Sequence, residues 1–238
     1  MKKTLLTATA LLVAASYQTA AMAETTNWTG FYAGGQIGAA GQDMTWTNKA
    51  QWGSYFAGWG EQKYSQNTSG IIGGLHFGYL HQWDAFVAGI DLTGNLSDLS
   101  KESLSPFYPE LGDTLETNMR GQVAATLKLG YAFDRFLPYV EGGYAVTQIG
   151  MTNRDRYYCE QPGTCLFKDT EWAGGYVLGA GLDYMLTDNL SLGLNYRYAN
   201  VEDVTFSGPV TPLTDQDEKY SASSDIHAVT LRASWHFN

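Results

Sequence analysis

Beyond its first residues this sequence has no apolar run long enough for a transmembrane helix, which needs about 20 residues. A helical membrane protein is thereby excluded. Basic residues are scarce as well: 14 Lys and Arg stand against 24 Asp and Glu, a net charge of −10. That sign argues against nucleic acid as a partner, because phosphate contacts need cations. It suits cationic partners, divalent ions or simply a soluble surface. Cysteine is confined to Cys159 and Cys165, separated by EQPGT, whose Pro-Gly signals a turn. No nearby histidine completes a zinc set, so in an oxidising compartment the pair is expected to close a disulfide across a loop tip. G-x-S-x-G, H-E-x-x-H and Walker sequences are all missing. The expectation is a protein that is not an enzyme and holds no cofactor or metal. Sustained helical stripes are missing too.

What is present begins with an export signal. Lys2 and Lys3 precede the short apolar core LLTATALLVAA, and Ala21, Met22 and Ala23 form an A-x-A cleavage site. Residues 1–23 are expected to be removed, leaving one domain over 24–238. Without Lys2 and Lys3 the basic count falls from 14 to 12, and 12 − 24 gives −12.

The rest of the chain alternates with period two and is rich in glycine and aromatics. In WTGFYAGGQIG, Phe31, Ala33, Gly35 and Ile37 share one face, while Tyr32, Gly34, Gln36 and Gly38 share the other. A helix should follow a phosphate-binding glycine loop; alternation follows here, so these glycines are read as making space in a strand. Similar patterns recur at about 71–82, 86–96, 119–132, 138–148, 172–186, 190–198 and 226–237, making eight strands. Tight turns are expected at Trp83-Asp84, Asp134-Arg135 and Thr187–Asn189, and long polar loops over 41–70, 97–118, 149–171 and 199–225. Short turns at one end and long loops at the other describe an all-β, up-and-down antiparallel barrel of the outer membrane, with four long extracellular loops. One face carries aliphatics in mid-strand and aromatics near the strand ends, as lipid and its interfaces demand. The other face holds glycines and charges. A lipocalin-like soluble barrel would put its apolar face inward, around a ligand.

Four stretches, WTGFYAGGQIG, PYVEGGYA, GYVLGAGLDYMLTDNLSLGLNYRY and HAVTLRASWHF, carry a family resemblance. With them the chain resembles the outer-membrane β-barrel family of Gram-negative immunogenic, porin-like surface proteins. The resemblance implies eight strands, periplasmic termini and a surface-antigen or membrane-stabilising role, with haem-binding or adhesive roles in some members. It also implies the lipid bilayer, lipopolysaccharide and the outer-membrane assembly machinery as partners. Such barrels usually end on an aromatic; here Asn238 follows Phe237.

Three constellations stand out. Lys128, Glu141, Asp183, Arg197, Arg232 and Arg120, with His76 and Asp91, fall on the inward face and are expected to pair there. A turn at Asp134-Arg135 sets Lys128 opposite Glu141, and one at Trp83-Asp84 sets His76 opposite Asp91, close enough for salt bridges. An eight-stranded interior has room for side chains only, so a fixed plug is the first reading; a gate in a narrow small-solute channel is the alternative. Trp46, Trp52, Tyr55, Phe56, Trp59 and Tyr64 crowd the first loop, either packing together or forming a platform for haem or a host surface. Haem needs an axial ligand, and His227 alone among the four histidines is placed to be reached from outside. The acidic cluster of Asp215, Asp217 and Glu218 lacks the spacing of a calcium loop.

Overall fold

The computed structural model describes residues 26–48, 62–104, 114–154, 166–209 and 217–237. The proposed signal segment, Cys159, Cys165, Trp52, Tyr55, Phe56 and Trp59 lie outside the described residues. Eight strands follow one another: β1 (Gly30–Asn48), β2 (Gln62–Trp83), β3 (Phe86–Leu104), β4 (Thr114–Tyr131), β5 (Phe136–Arg154), β6 (Leu166–Thr187), β7 (Leu190–Pro209) and β8 (Asp217–Phe237). Each pairs antiparallel with the next, and β8 pairs with β1 to close the ring. Closure leaves no unpaired sheet edge at the level of the lipid, which is what lets strands cross a bilayer.

The hydrogen-bonded ring is staggered. Starting at Phe31, partners run through Tyr79, Ile90, Leu127, Gly142, Leu178, Tyr198 and His227, and arrive at Gly41. Phe31 and Gly41 are ten positions apart, so one circuit climbs ten residues (41 − 31). Such stagger tilts the strands by roughly 35–45°. It also brings side chains from distant strands to one height.

Outward positions meet lipid. Ile37, Leu75, Leu92, Leu127, Val140, Leu178, Leu194 and Leu231 all lie exposed on the wall. Phe31, Trp83, Phe86, Tyr131, Phe133, Phe136, Trp235 and Phe237 ring the short-turn end, where an aromatic belt belongs. Two of the short turns place an aspartate in the left-handed region, Asp84 at φ 50° and Asp134 at φ 52°. Aspartate tolerates that region better than most residues.

The strands are longer than the sequence reading expected. They hold 18 to 22 residues, which at about 3.3 Å per residue and a tilt near 40° makes a wall roughly 45–55 Å tall. An apolar band is only about 25 Å tall. Much of each expected long loop is therefore barrel wall standing clear of the membrane: β1 continues to Asn48, and β2 starts at Gln62. Outside lipid the outward face need not be apolar, so polar residues such as Ser65 and Asn67 sit on it.

The interior is layered. Trp28, Tyr32, Leu80, Val87, Leu137 and Met185 close the short-turn end. A second apolar cluster, with Met44, Trp46, Leu99, Met119, Ile149, Met151 and Phe206, fills the far end. Charged groups lie between the two. In β1, a Cβ on Gly34 would run into the Ala233 carbonyl and stand 2.7 Å from His76 Nε2, and one on Gly38 would meet the Val229 carbonyl. Both glycines allow close approach, while Gly35 on the outer face has only ordinary contact at 3.8 Å.

Candidate functional site in the barrel interior

Six ionisable side chains meet at mid-height, one from each of β3 to β8: Asp91, Lys128, Glu141, Asp183, Arg197 and Arg232. All are buried. Alternation puts each of them inward, and the stagger of the ring brings them together. Three cations face three carboxylates, so the set is formally neutral.

Asp91 is the hub. It receives Arg232 Nη2 at 2.6 Å, Arg197 Nη2 at 3.1 Å, the Tyr32 hydroxyl at 2.6 Å and the Thr93 hydroxyl at 2.6 Å. Glu141 receives Arg197 Nε at 2.7 Å and Nη2 at 3.0 Å, together with Asn195 Nδ2 at 2.9 Å and the Thr126 hydroxyl at 3.1 Å. Such bidentate, charge-assisted bonds are the strong kind. Lys128 Nζ lies 3.4 Å from Asp183 Oδ2 and 3.9 Å from the centroid of the Tyr139 ring.

The expected pairings hold only in part. Lys128 and Glu141 are direct strand partners, yet the ammonium turns to Asp183 and leaves Glu141 to Arg197. His76 is opposite Thr93, and Asp91 is opposite Gly78. The turn falls at Asp84-Ala85, one residue later than expected, and that moves the register by two. His76 is buried beside Ser234, with Nε2 2.8 Å from Oγ, and His236 makes the matching contact with Ser191 at 2.9 Å.

Arg120 is outside this set. A register shift between Met119 and Gly121 breaks the alternation and leaves Arg120 exposed on the wall. Of the first-loop aromatics, Trp46 is buried inside the far chamber, its ring 5.6 Å from Phe206. Tyr64 is half-buried and donates to Ser103 at 3.2 Å. The uncharged members Tyr32, Thr93, Thr126 and Tyr139 were missed as site residues. Their inward parity was the available signal.

Above the lipid-facing part of β8, a second polar group sits on the outer wall. Asp225 accepts Asn200 Nδ2 at 2.8 Å and the Tyr198 hydroxyl at 2.7 Å, and these bonds hold its carboxyl below the ordinary carboxylate value. His227 is outward, as expected, but its Nδ1 is bonded to the Tyr196 hydroxyl at 2.8 Å and its ring lies 5.1 Å from that of Tyr198.

The two interior Ser–His pairs, Ser234 with His76 and Ser191 with His236, are buried, and each carboxylate of the layer faces a cation. Among the described residues, no cluster of His, Cys, Asp and Glu has the makings of a metal site. The arrangement ties β3 to β8 together through their charged side chains, with Tyr32 of β1 bonded to Asp91.

Comparison with known proteins agrees with this geometry. The family model described as "Outer membrane protein beta-barrel domain" matches residues 7–237. The chain is 26% identical over 149 residues to the 25 kDa outer-membrane immunogenic protein of Brucella ovis, covering 60% of this chain and 64% of that one. It spans less than two thirds of that relative. To the 31 kDa outer-membrane immunogenic protein of Brucella melitensis it is 27% identical over 192 residues, 78% of this chain and 76% of the other. Among solved structures, OprG of Pseudomonas aeruginosa superposes with a TM-score of 0.57 at 17% identity, over 90% of this chain and 98% of that one. The outer membrane protease OmpT of Escherichia coli gives 0.54 at 9% identity, over 91% and 99%. At such identities the likeness is one of fold.

Proposed function

The chain belongs to the outer-membrane protein β-barrel domain family, and from that membership we propose that it is a non-enzymatic structural barrel, plugged inside and antigenic outside. Its place is the outer membrane. The observation that carries the plug is the mid-barrel layer, in which Arg197 and Arg232 clamp Asp91 while Lys128 holds Asp183. Apolar clusters above and below the layer support this reading. Removing one partner from a buried pair costs roughly 3–5 kcal/mol, so the layer resists opening. The antigenic role draws on the relatives named as immunogenic proteins, and on a barrel wall tall enough to stand clear of the lipid.

Reconstitution of the refolded protein in a planar bilayer tests the plug. Silence is expected; steady, reproducible openings would overturn it.

A narrow small-solute channel is the second reading. One observation favours it: Arg197 Nη1 and Arg232 Nη1 are buried with no hydrogen-bond partner in the protein. Buried donors of this kind favour water in the layer, and water is the first requirement of a path. Haem or host-surface binding through the first-loop aromatics has less support, because Trp46 faces inward.

A further inference from the structure

We propose that the edge of β6 standing above the lipid takes up an extended, cationic segment of another polypeptide as an added strand. The inference rests on the outer-membrane location and not on whether the lumen conducts.

The ring is fully paired only in its lower part. The β6–β7 ladder runs from Thr187–Leu190 up to Val177–Ala199 and stops there. Beyond that point β6 pairs only with β5, as far as Leu166, and β7 only with β8, as far as Pro209. At the foot of this seam the two backbones still touch, since a Cβ on Gly175 would run into the Asn200 carbonyl. Exposed Tyr176 meets Tyr198 there, with ring centroids 6.0 Å apart. Tyrosine favours the headgroup level, so the seam opens on the water side of it. The cause is local: β7 carries a register shift between Val201 and Val204, and a bulge bends its strand and ends pairing.

A second seam shows what a closed one looks like. The β2–β3 ladder stops at Ile72–Ser97, beside a shift between Leu96 and Leu99. Side chains sew it shut. Asp98 accepts the Ile71 amide at 2.6 Å, Thr68 donates to the Ser100 carbonyl at 3.2 Å, and Gln66 to the Lys101 carbonyl at 3.2 Å. Its charges, Lys63 and Lys101 against Asp98 and Glu102, cancel. Between β6 and β7 no side chain among the described residues makes such a bond above Tyr176.

Charge selects the occupant. The free part of β6 carries Lys168, Asp169 and Glu171, and that of β7 carries Glu202 and Asp203, so 1 − 4 gives −3. The flanking ends of β5 and β8 cancel, with Arg154 and Lys219 against Asp217 and Glu218. Residues 155–165 and 210–216 add Arg156 against Asp155, Glu160 and Asp215. Glu171, Glu202 and Asp203 are exposed, and no described cation pairs with them. A second copy of the chain would bring the same carboxylates and be repelled, whereas a cationic strand is drawn in.

The backbone selects the form. From Leu166 to Tyr176, β6 runs in unbroken register with β5, and its outer N–H and C=O groups make a regular row for strand addition. The facing edge of β7 is spoiled for that purpose by its bulge and by Pro209. Trp172, exposed on the wall of β6, offers a ring to a lysine of the added strand.

The test uses the full chain refolded in detergent micelles and a fluorescein-labelled peptide of alternating Lys and Thr, as long as the β6 edge. Anisotropy follows binding. One control peptide has Glu in place of Lys; another is N-methylated at every residue, which keeps the charge but removes the donors. The wild type is expected to bind the first peptide and neither control. The triple variant Glu171→Gln, Glu202→Gln, Asp203→Asn should bind about tenfold more weakly, the effect of three surface ion pairs. No binding by the wild type, or an unchanged affinity in the triple variant, would overturn the proposal. So would equal binding of the N-methylated peptide, which would mean adsorption by charge alone. A dimer in native mass spectrometry that the peptide disperses would make the edge a self-association surface, and would overturn it too. Heat-modified gel mobility confirms that each variant is folded, and bilayer conductance reports on the plug separately.

Discussion

Arg197 and Glu141 are 56 residues apart on strands that do not hydrogen-bond to each other, and yet Nε lies 2.7 Å from Oε1. β6 stands between them. In the same row it supplies Gly179, the direct partner of both Glu141 and Arg197. A Cβ on Gly179 would come within 2.8 Å of Glu141 Oε1 and 3.0 Å of its Cγ. The glycine is the gap through which the two side chains meet.

Gly179→Val is therefore expected to destabilise the barrel by about 1–3 kcal/mol, the usual cost of overpacking. Urea unfolding followed by tryptophan fluorescence measures it. A midpoint equal to wild type would mean that Glu141 has another place to go.

The carboxylates of the layer should differ in weight. Asp91 holds two guanidinium groups and is wholly buried, whereas Asp183 holds one ammonium at 3.4 Å with its side chain 11% exposed. Asp91→Asn is expected to cost about 3–5 kcal/mol, as for a broken buried pair, and Asp183→Asn clearly less. Paired urea titrations give the order, and the reverse order would remove Asp91 from the centre of the network.

Conductance should follow charge. In Asp91→Asn, Glu141→Gln, three cations remain in the layer against Asp183 alone, and their repulsion draws in water and small anions. Anion-selective openings are expected from this variant in a planar bilayer where the wild type is silent. A silent double variant that is correctly folded would show that the apolar clusters, and not the charges, close the lumen.

On the outer wall, acid should loosen the contact between Asp225 and its neighbours. Hydrogen bonds from Asn200 and Tyr198 hold the Asp225 carboxyl below its ordinary value, near 3.9 in an unfolded chain. The stabilisation is therefore complete above that value and is lost as pH falls through the lower, folded one. It is small, because the group lies at the surface and is screened by solvent. An NMR titration of the carboxyl carbon should place its midpoint below the ordinary range, and Asn200→Ala should move it back up. No movement would assign the depression to another cause.

Much of this was legible in the sequence because a period of two needs no knowledge of partners. Leu231 and Arg232 declare opposite faces by adjacency alone, and eight such patterns with short turns between pairs imply a closed barrel. The charged layer was legible as a list of inward residues for the same reason. Three things were hidden. The turn at Asp84-Ala85 differs from Trp83-Asp84 by one residue, and composition does not separate the two. Arg120 reads as inward until a bulge, which leaves no mark on periodicity, turns it out. The height of the wall was masked because strands outside lipid have no need of an apolar face.

The sequence by itself determined strand number, the lipid-facing side and the outer-membrane address, since each follows from local alternation and from the solvent each face must meet. Only the tertiary structure decided which charge meets which. Ring closure offsets the strands by ten residues per circuit, and this collective quantity carries Arg197 to Glu141 and Asp91, and Lys128 away from its own strand partner to Asp183.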